Sequence, residues 1–269
     1  MERSTPPDIR PHHRRTIERL AQAYRDDARF SALIIGGSVA KGYAREDSDV
    51  DFMLVATDQE YKHRVASGDL LVNRTDVSDY DGGYADGKVI SESFLKDVGD
   101  RGNEPSRAAF VGAFPALSRL PDLERLLERI PVYPEADRDR RIKAFYCLAF
   151  MGNWLMNEAT RHDNRYGITR AASQLSLFSS RLVLAHNRVL FPYHKWMLQA
   201  VDEATDKPPG FLEGVRALLD EPGVPTASAL LQSVQGFRDW GVSDIEAYTW
   251  FMTEVEWSWM NGTIPMEDW

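Results

Sequence analysis

The chain has 269 residues and one cysteine, Cys147, so a disulfide scaffold and a cysteine-rich zinc cluster are excluded and a reducing compartment is expected. Its 41 acids exceed its 32 lysines and arginines, a formal charge of -9 that disfavours long contacts with nucleic acid or anionic lipid and favours a cationic partner. The opening MERSTPPDIRPHHRR lacks an apolar core of signal-peptide length, and no run approaches the roughly 18 apolar residues of a membrane span, so a soluble cytoplasmic protein is expected.

In chain order, Pro11 to Tyr24 reads as a first helix, with Pro11 in the first turn and Ile17, Leu20 and Ala21 on one face. Its His12 and His13 read as solvated first-turn residues. Ser31 to Ile35 is a short apolar run ending in Gly36 and Gly37, the pattern of a buried strand entering a tight turn. Val39 to Tyr43 can form a short helix after it, and Asp49 to Val55 a second strand. Val77 to Phe94 reads as two more strands, either continuous or joined at a hairpin near Asp86-Gly87. Beyond Ser106 helical spacing takes over.

Pro131-Val-Tyr-Pro134 resists helix and favours an extended connection, which places a boundary there, with one domain over 1–133 and another over 134–269. In the second, Leu175, Phe178, Leu182, Ala185 and Val189 recur at helical steps, as do Ile245, Tyr248, Met252, Val255 and Trp259, so both stripes are expected to enter a bundle. The fold class is therefore α+β: a small mixed-sheet domain followed by an α-helical bundle. No Lys or Arg follows Arg238, whereas Asp239, Asp244, Glu246, Glu254, Glu256, Glu267 and Asp268 do, an asymmetry that can mark an interaction surface.

The chemically informative stretch runs from Ile34 to Val55. A Gly36-Gly37-Ser38 turn between a strand and a helix start brings bare amide N–H groups and a hydroxyl to a phosphate chain, because no Cβ holds the phosphates away. Asp49 and Asp51 stand two apart on the next strand, so their carboxylates share a face and can share divalent cations. Two such cations about 3.5–4 Å apart stabilise the attacking and leaving oxygens of an in-line phosphoryl displacement. Other motifs fail on particular residues. There is neither a Walker loop nor Gly-x-Gly-x-x-Gly, Phe52 stands where an EF-hand needs glycine, and a nucleophile elbow at Gly36 to Ala40 leaves the aspartate pair unexplained.

Gly36-Gly37-Ser38 followed by Ser48-Asp49-Val50-Asp51 and an apolar run resembles the polymerase-β-type nucleotidyltransferase superfamily, in particular its minimal bacterial branch with the antibiotic nucleotidyltransferases. The matching motifs lie within about residues 30 to 95. The resemblance implies a mixed-sheet catalytic domain, Mg²⁺ as cofactor, a nucleoside triphosphate donor, and transfer of a nucleoside monophosphate to a hydroxyl with release of pyrophosphate. By the same resemblance Gly37 and Ser38 hold the β and γ phosphates, and Asp49 and Asp51 bind metal.

It also implies a third carboxylate on a neighbouring strand, for which Asp86 and Glu92 compete, with Asp86 narrowly preferred. Similar enzymes use a basic residue of the helical domain against the triphosphate, and Lys195 is the candidate here. His186 and His194 read as packing or capping residues. Glu246, Trp250, Glu254 and Trp257, at helical steps opposite the apolar stripe, read as an acid-and-indole face for a polycation such as an aminoglycoside. The function expected is Mg²⁺-dependent transfer of AMP from ATP to a small hydroxyl acceptor, an antibiotic included. The alternatives are nucleotidylation of a protein or tRNA, and a nucleotide-binding regulator without turnover.

Overall fold

The computed structural model describes residues 8–262 and 264–266; the leader reading at residues 1–7 and the acids Glu267 and Asp268 lie outside them. The chain is α+β and divides into two compact units, Met1–Val132 and Tyr133–Trp269, with the break inside the Pro131 to Pro134 connection. No helix among the described residues is long and apolar enough to cross a membrane.

In the first unit, α1 (Pro11–Tyr24) leads to β1 (Phe30–Ile35), α2 (Gly37–Lys41), β2 (Val50–Ala56), α3 (Asp58–Ser67), β3 (Leu71–Arg74) and β4 (Ala85–Ser91). After these come α4 (Glu92–Arg101), α5 (Glu104–Ala108), β5 (Phe114–Ser118) and α6 (Leu123–Arg129). The strands form one mixed sheet in the order β3-β4-β2-β1-β5, in which only β2 and β4 run parallel. All six residues of β1 are buried, as a strand covered on both faces requires. One face packs Leu33, Ile35, Phe52 and Leu54 against Ile17 and Leu20 of α1. The other packs Ala32, Ile34, Val55 and Ile90 against Leu95 of α4 and Leu126 of α6.

Of the two readings left open for Val77 to Phe94, a turn at Asp86-Gly87 does not form: both residues lie inside β4, because β4 pairs along its whole length with β2 and Gly87 gives the Phe52 ring room. A Cβ at Gly87 would stand 2.3 Å from that ring. Strand β3 escaped notice because it is a short edge strand with an exposed face. Strand β5, in the region read as helical, carries Pro115, which an edge position tolerates. His13 is fully buried rather than solvated, tied to the Ser48 carbonyl across the α1 interface.

The second unit is built on α7 (Arg138–Arg161) and α8 (Arg165–His186), followed by α9 (Met197–Glu203), α10 (Phe211–Asp220), α11 (Val224–Phe237) and α12 (Asp244–Phe251). Leu175, Leu182 and Ala185 of α8 enter its core, with Phe178 and Val189 packed against it. The stripe on the last helix does not. Ile245 is 78% exposed and Trp259 61%, while Ala247 is the residue α12 buries. Ile245 and Tyr248 are already exposed on α12, and past its end at Phe251 a π-helical turn over Met252–Glu256 rotates the later residues off the α-helical stripe.

The parallel β2–β4 pairing is thus sensitive to what stands under Phe52. Gly87→Val should cost about 1–3 kcal/mol by overpacking, read as a lower urea midpoint with an unchanged slope.

Candidate active site

Strands β2 and β4 share one burial pattern. In each, the first four residues alternate between covered and open, and the last three are buried on both faces. Helices α4 and α6 therefore cover one face only toward the carboxyl ends of these strands, and near their amino ends that face is bare. Asp51 and Asp86 stand on the bare part and are directly paired in the parallel register. Paired residues on parallel neighbours project to the same side, on strands about 4.8 Å apart. Asp49, two residues before Asp51, belongs to the same face.

The chain from β1 crosses this edge as Gly36-Gly37-Ser38. The Gly36 N–H donates to the Asp51 carbonyl at 3.0 Å, stitching the turn onto β2. Gly37 has φ of +62°, and a Cβ there would lie 1.8 Å from Asp51 Oδ2. Only glycine lets the backbone pass so close to that carboxylate while holding a left-handed conformation. Ser38 follows at the start of α2, half-buried, and Gly42 closes that short helix with φ of +77°.

Two neighbours that the sequence reading missed report on the electrostatics. Tyr84 precedes β4, and its carbonyl accepts from the Val50 N–H at 3.1 Å, which sets it beside Asp49. Its phenol is shifted above the ordinary tyrosine range, first by the charge of Asp49, then by burial, by a hydrogen bond with Asp49, and by the charges of Asp86 and Asp51. The charges of all three aspartates thus bear on one phenol. Lys41, at the end of α2, is held below the ordinary lysine range by burial, opposed by the charge of Asp51. Both residues were legible only as ordinary polar positions, since nothing in their spacing marks them.

Carboxylates at strand spacing repel by about 3 kcal/mol per pair at an effective dielectric of about 20, so the cluster calls for cations. Its donor set is all hard oxygen, which suits Mg²⁺. No group of three acidic, histidine or cysteine side chains among the described residues stands as a ready-made metal cage. Mg²⁺ fits such a site because it is commonly held by one or two carboxylates with substrate phosphates and water supplying the rest.

The structure brings Gly36, Gly37, Asp51 and Asp86 to one end of the β2–β4 pair, with Ser38 and Asp49 beside them in the chain. It does not bring Glu92 there. That residue opens α4 beyond the opposite, covered end of β4, where its carboxylate accepts a hydrogen bond from the Ser31 hydroxyl. Of the two acids, Asp86 is the one paired with Asp51.

The remaining candidates belong to the second unit. Lys195 sits in a 3₁₀ turn with its ammonium 5.3 Å from the ring centre of Trp196. Glu246 is used locally, accepting from the Ser243 N–H and hydroxyl at 2.9 Å in a capping box. Glu246 and Trp250 stand four apart on α12, but the π-helical turn over Met252–Glu256 includes Glu254 and precedes Trp257, so the four do not continue one α-helical face. The acid-and-indole face is corrected on that ground. His186 bonds Asp206 at 2.6 Å and packs on Phe237 and Trp240.

No protein-family model matches this chain, and no curated protein matches its sequence. Among solved structures it is similar to a nucleotidyltransferase-like protein from Exiguobacterium sibiricum, at 10% identity over 95% of this chain and 83% of that one, with a TM-score of 0.49. A likeness of that size carries neither activity nor substrate across.

If the aspartates share one field, removing one charge should be felt by its neighbour. Asp49→Asn should lower the Tyr84 phenol toward its ordinary value, because the largest cause of its upward shift is gone. Ultraviolet difference titration, with Tyr84→Phe to assign the signal, checks this without reference to any reaction.

Proposed function

We propose that the first unit is the catalytic part of a nucleotidyltransferase, which binds a nucleoside triphosphate and passes its nucleoside monophosphate to a hydroxyl with loss of pyrophosphate. The observation that carries this is the pairing of Asp51 with Asp86 at the bare end of the sheet, with Gly37 packed on Asp51. Phosphate loop and acids occupy one edge, as in-line phosphoryl chemistry asks of them.

On this reading the bare N–H groups of the Gly36 to Ser38 turn and the Ser38 hydroxyl donate to phosphate oxygens, and Lys41 adds positive charge beside Asp51. Asp49, Asp51 and Asp86 would hold Mg²⁺, which when bound neutralises charge on the triphosphate. The acceptor oxygen attacks the α phosphorus, the bond to the β-bridging oxygen breaks, and pyrophosphate leaves with the electron pair. A carboxylate within hydrogen-bond reach of the acceptor takes its proton, and Asp86, the neighbour of Asp51 in register, is assigned that task. Most of the rate comes from holding the triphosphate in line and neutralising it.

ATP is the proposed donor, and a small hydroxyl compound, antibiotics of the aminoglycoside or lincosamide type included, the proposed acceptor.

The test is a pyrophosphate-release screen of the four common nucleoside triphosphates with Mg²⁺ against aminoglycosides, lincosamides and nucleoside-like alcohols. Asp51→Asn and Asp86→Asn should each lower turnover by about 10²–10³ or more, the scale of losing one group that stabilises transition-state charge. Circular dichroism should show both variants folded, and chelation of Mg²⁺ should stop release in the parent. Full turnover in both variants overturns the proposal. Nucleotide affinity with no pyrophosphate from any acceptor would make the protein a nucleotide-binding regulator instead.

A further inference from the structure

The end of the β2–β4 pair that gathers the aspartates also carries a hydroxyl of the chain itself. Burial alternates there on both strands. Val50 and Ala85 are fully buried, while Asp49 and Asp51 on one chain segment and Tyr84 and Asp86 on the other stay partly open. The Val50 N–H donates to the Tyr84 carbonyl at 3.1 Å, a bond of the same ladder that pairs Val50 with Ala85 and Asp51 with Asp86. Tyr84 therefore lies across from Asp49 and on the face of Asp86, about 6.5 Å before it along the chain.

The backbone on the other side of Tyr84 is fixed as well. The Gly83 N–H donates to the Tyr80 carbonyl at 3.0 Å, and a Cβ on Gly83 would stand 2.6 Å from the Tyr80 ring, so the chain lies against that ring immediately before Tyr84. The Tyr80 hydroxyl is already engaged, donating to the Ser48 carbonyl at 2.6 Å. The Tyr84 hydroxyl instead donates to Asp49, within the field of Asp51 and Asp86.

A tyrosine kept for packing buries its ring and leaves the hydroxyl to water. Tyr84 does the reverse: 36% of its surface is exposed, so a ligand can reach it, and its hydroxyl is turned to the acids. A hydroxyl bonded to a carboxylate that can take its proton is the arrangement an acceptor of phosphoryl chemistry requires.

We infer that Tyr84 is itself a nucleotidyl acceptor, so that the protein transfers a nucleoside monophosphate to its own chain. This activity presupposes the nucleotidyl-transfer reading of the site and names a substrate for it. The phenol oxygen attacks the α phosphorus of the bound triphosphate, the bond from that phosphorus to the α,β-bridging oxygen breaks, and pyrophosphate leaves with the electron pair. The phenol proton passes to Asp49, to which it is already bonded. The product is a tyrosyl phosphodiester standing among the aspartates, where it takes the place of a further triphosphate. Modification is thus self-limiting, a single group per chain, and it shuts the site against soluble acceptors.

The full chain is incubated with each of the four common nucleoside triphosphates, labelled in the α phosphate, with Mg²⁺ and no acceptor, and followed by intact-mass measurement and peptide mapping. A gain of one nucleoside monophosphate is expected, mapped to Tyr84, at a first-order rate independent of chain concentration. Tyr84→Phe, a conservative change at an exposed ring, should remove the label from the chain, with circular dichroism showing the variant folded. Asp51→Asn should slow labelling about 10²-fold or more. Label that persists in Tyr84→Phe, maps to another residue, forms faster at higher chain concentration, or is indifferent to Asp51→Asn overturns the inference. An unlabelled chain that still releases pyrophosphate with a soluble acceptor overturns it too and leaves the nucleotidyl-transfer reading standing. An unlabelled chain with no pyrophosphate from any acceptor overturns both.

Discussion

The register of one parallel strand pair is the constraint on which the site depends. Strands β2 and β4 are hydrogen-bonded so that Asp51 faces Asp86, and a slip by one residue would send one of the two to the apolar face among Phe52, Leu54 and Val89. That face fixes the register, because charge there would be buried without a partner. The core on one side of the sheet thus holds the acids together on the other. Gly37 completes the arrangement by letting the turn after β1 lie against the Asp51 carboxylate.

Functional space in this unit is made by leaving part of a surface uncovered. Helices α4 and α6 reach only the carboxyl ends of β2 and β4, where Val55 and Ile90 pack against Leu95 and Leu126. The amino ends keep an open face, and on it the sequence carries Asp51, Asp86 and Lys88 where a core would need apolar residues. Like charges gathered there work against stability, and the buried strands around them make the gathering affordable.

The loop that delivers Asp49 is secured from outside the sheet. The Ser48 carbonyl accepts from Tyr80 at 2.6 Å and from His13, and the Glu46 carbonyl meets His12 at 3.1 Å. The start of α1 is therefore part of what positions the acids, and the same packing buries the His13 ring.

Local chemistry made much of this readable in advance. Glycines after an apolar strand announce a turn, acids two apart on a strand share a face, and the α1 periodicity delimits that helix from Pro11 to Tyr24. These follow from backbone geometry within a few residues. What the sequence alone left open depended on distant partners: whether Asp86-Gly87 turns or pairs, and which of Asp86 and Glu92 meets Asp51. The tertiary structure decided both by supplying the neighbour. Strand β2 extends β4 through Gly87, and the sheet sends Glu92 to its far end beside Ser31. The stripe from Ile245 to Trp259, expected in the core, is exposed instead. Spacing along a chain sets the direction in which a side chain leaves the backbone, but what it meets there is set by residues far away in sequence.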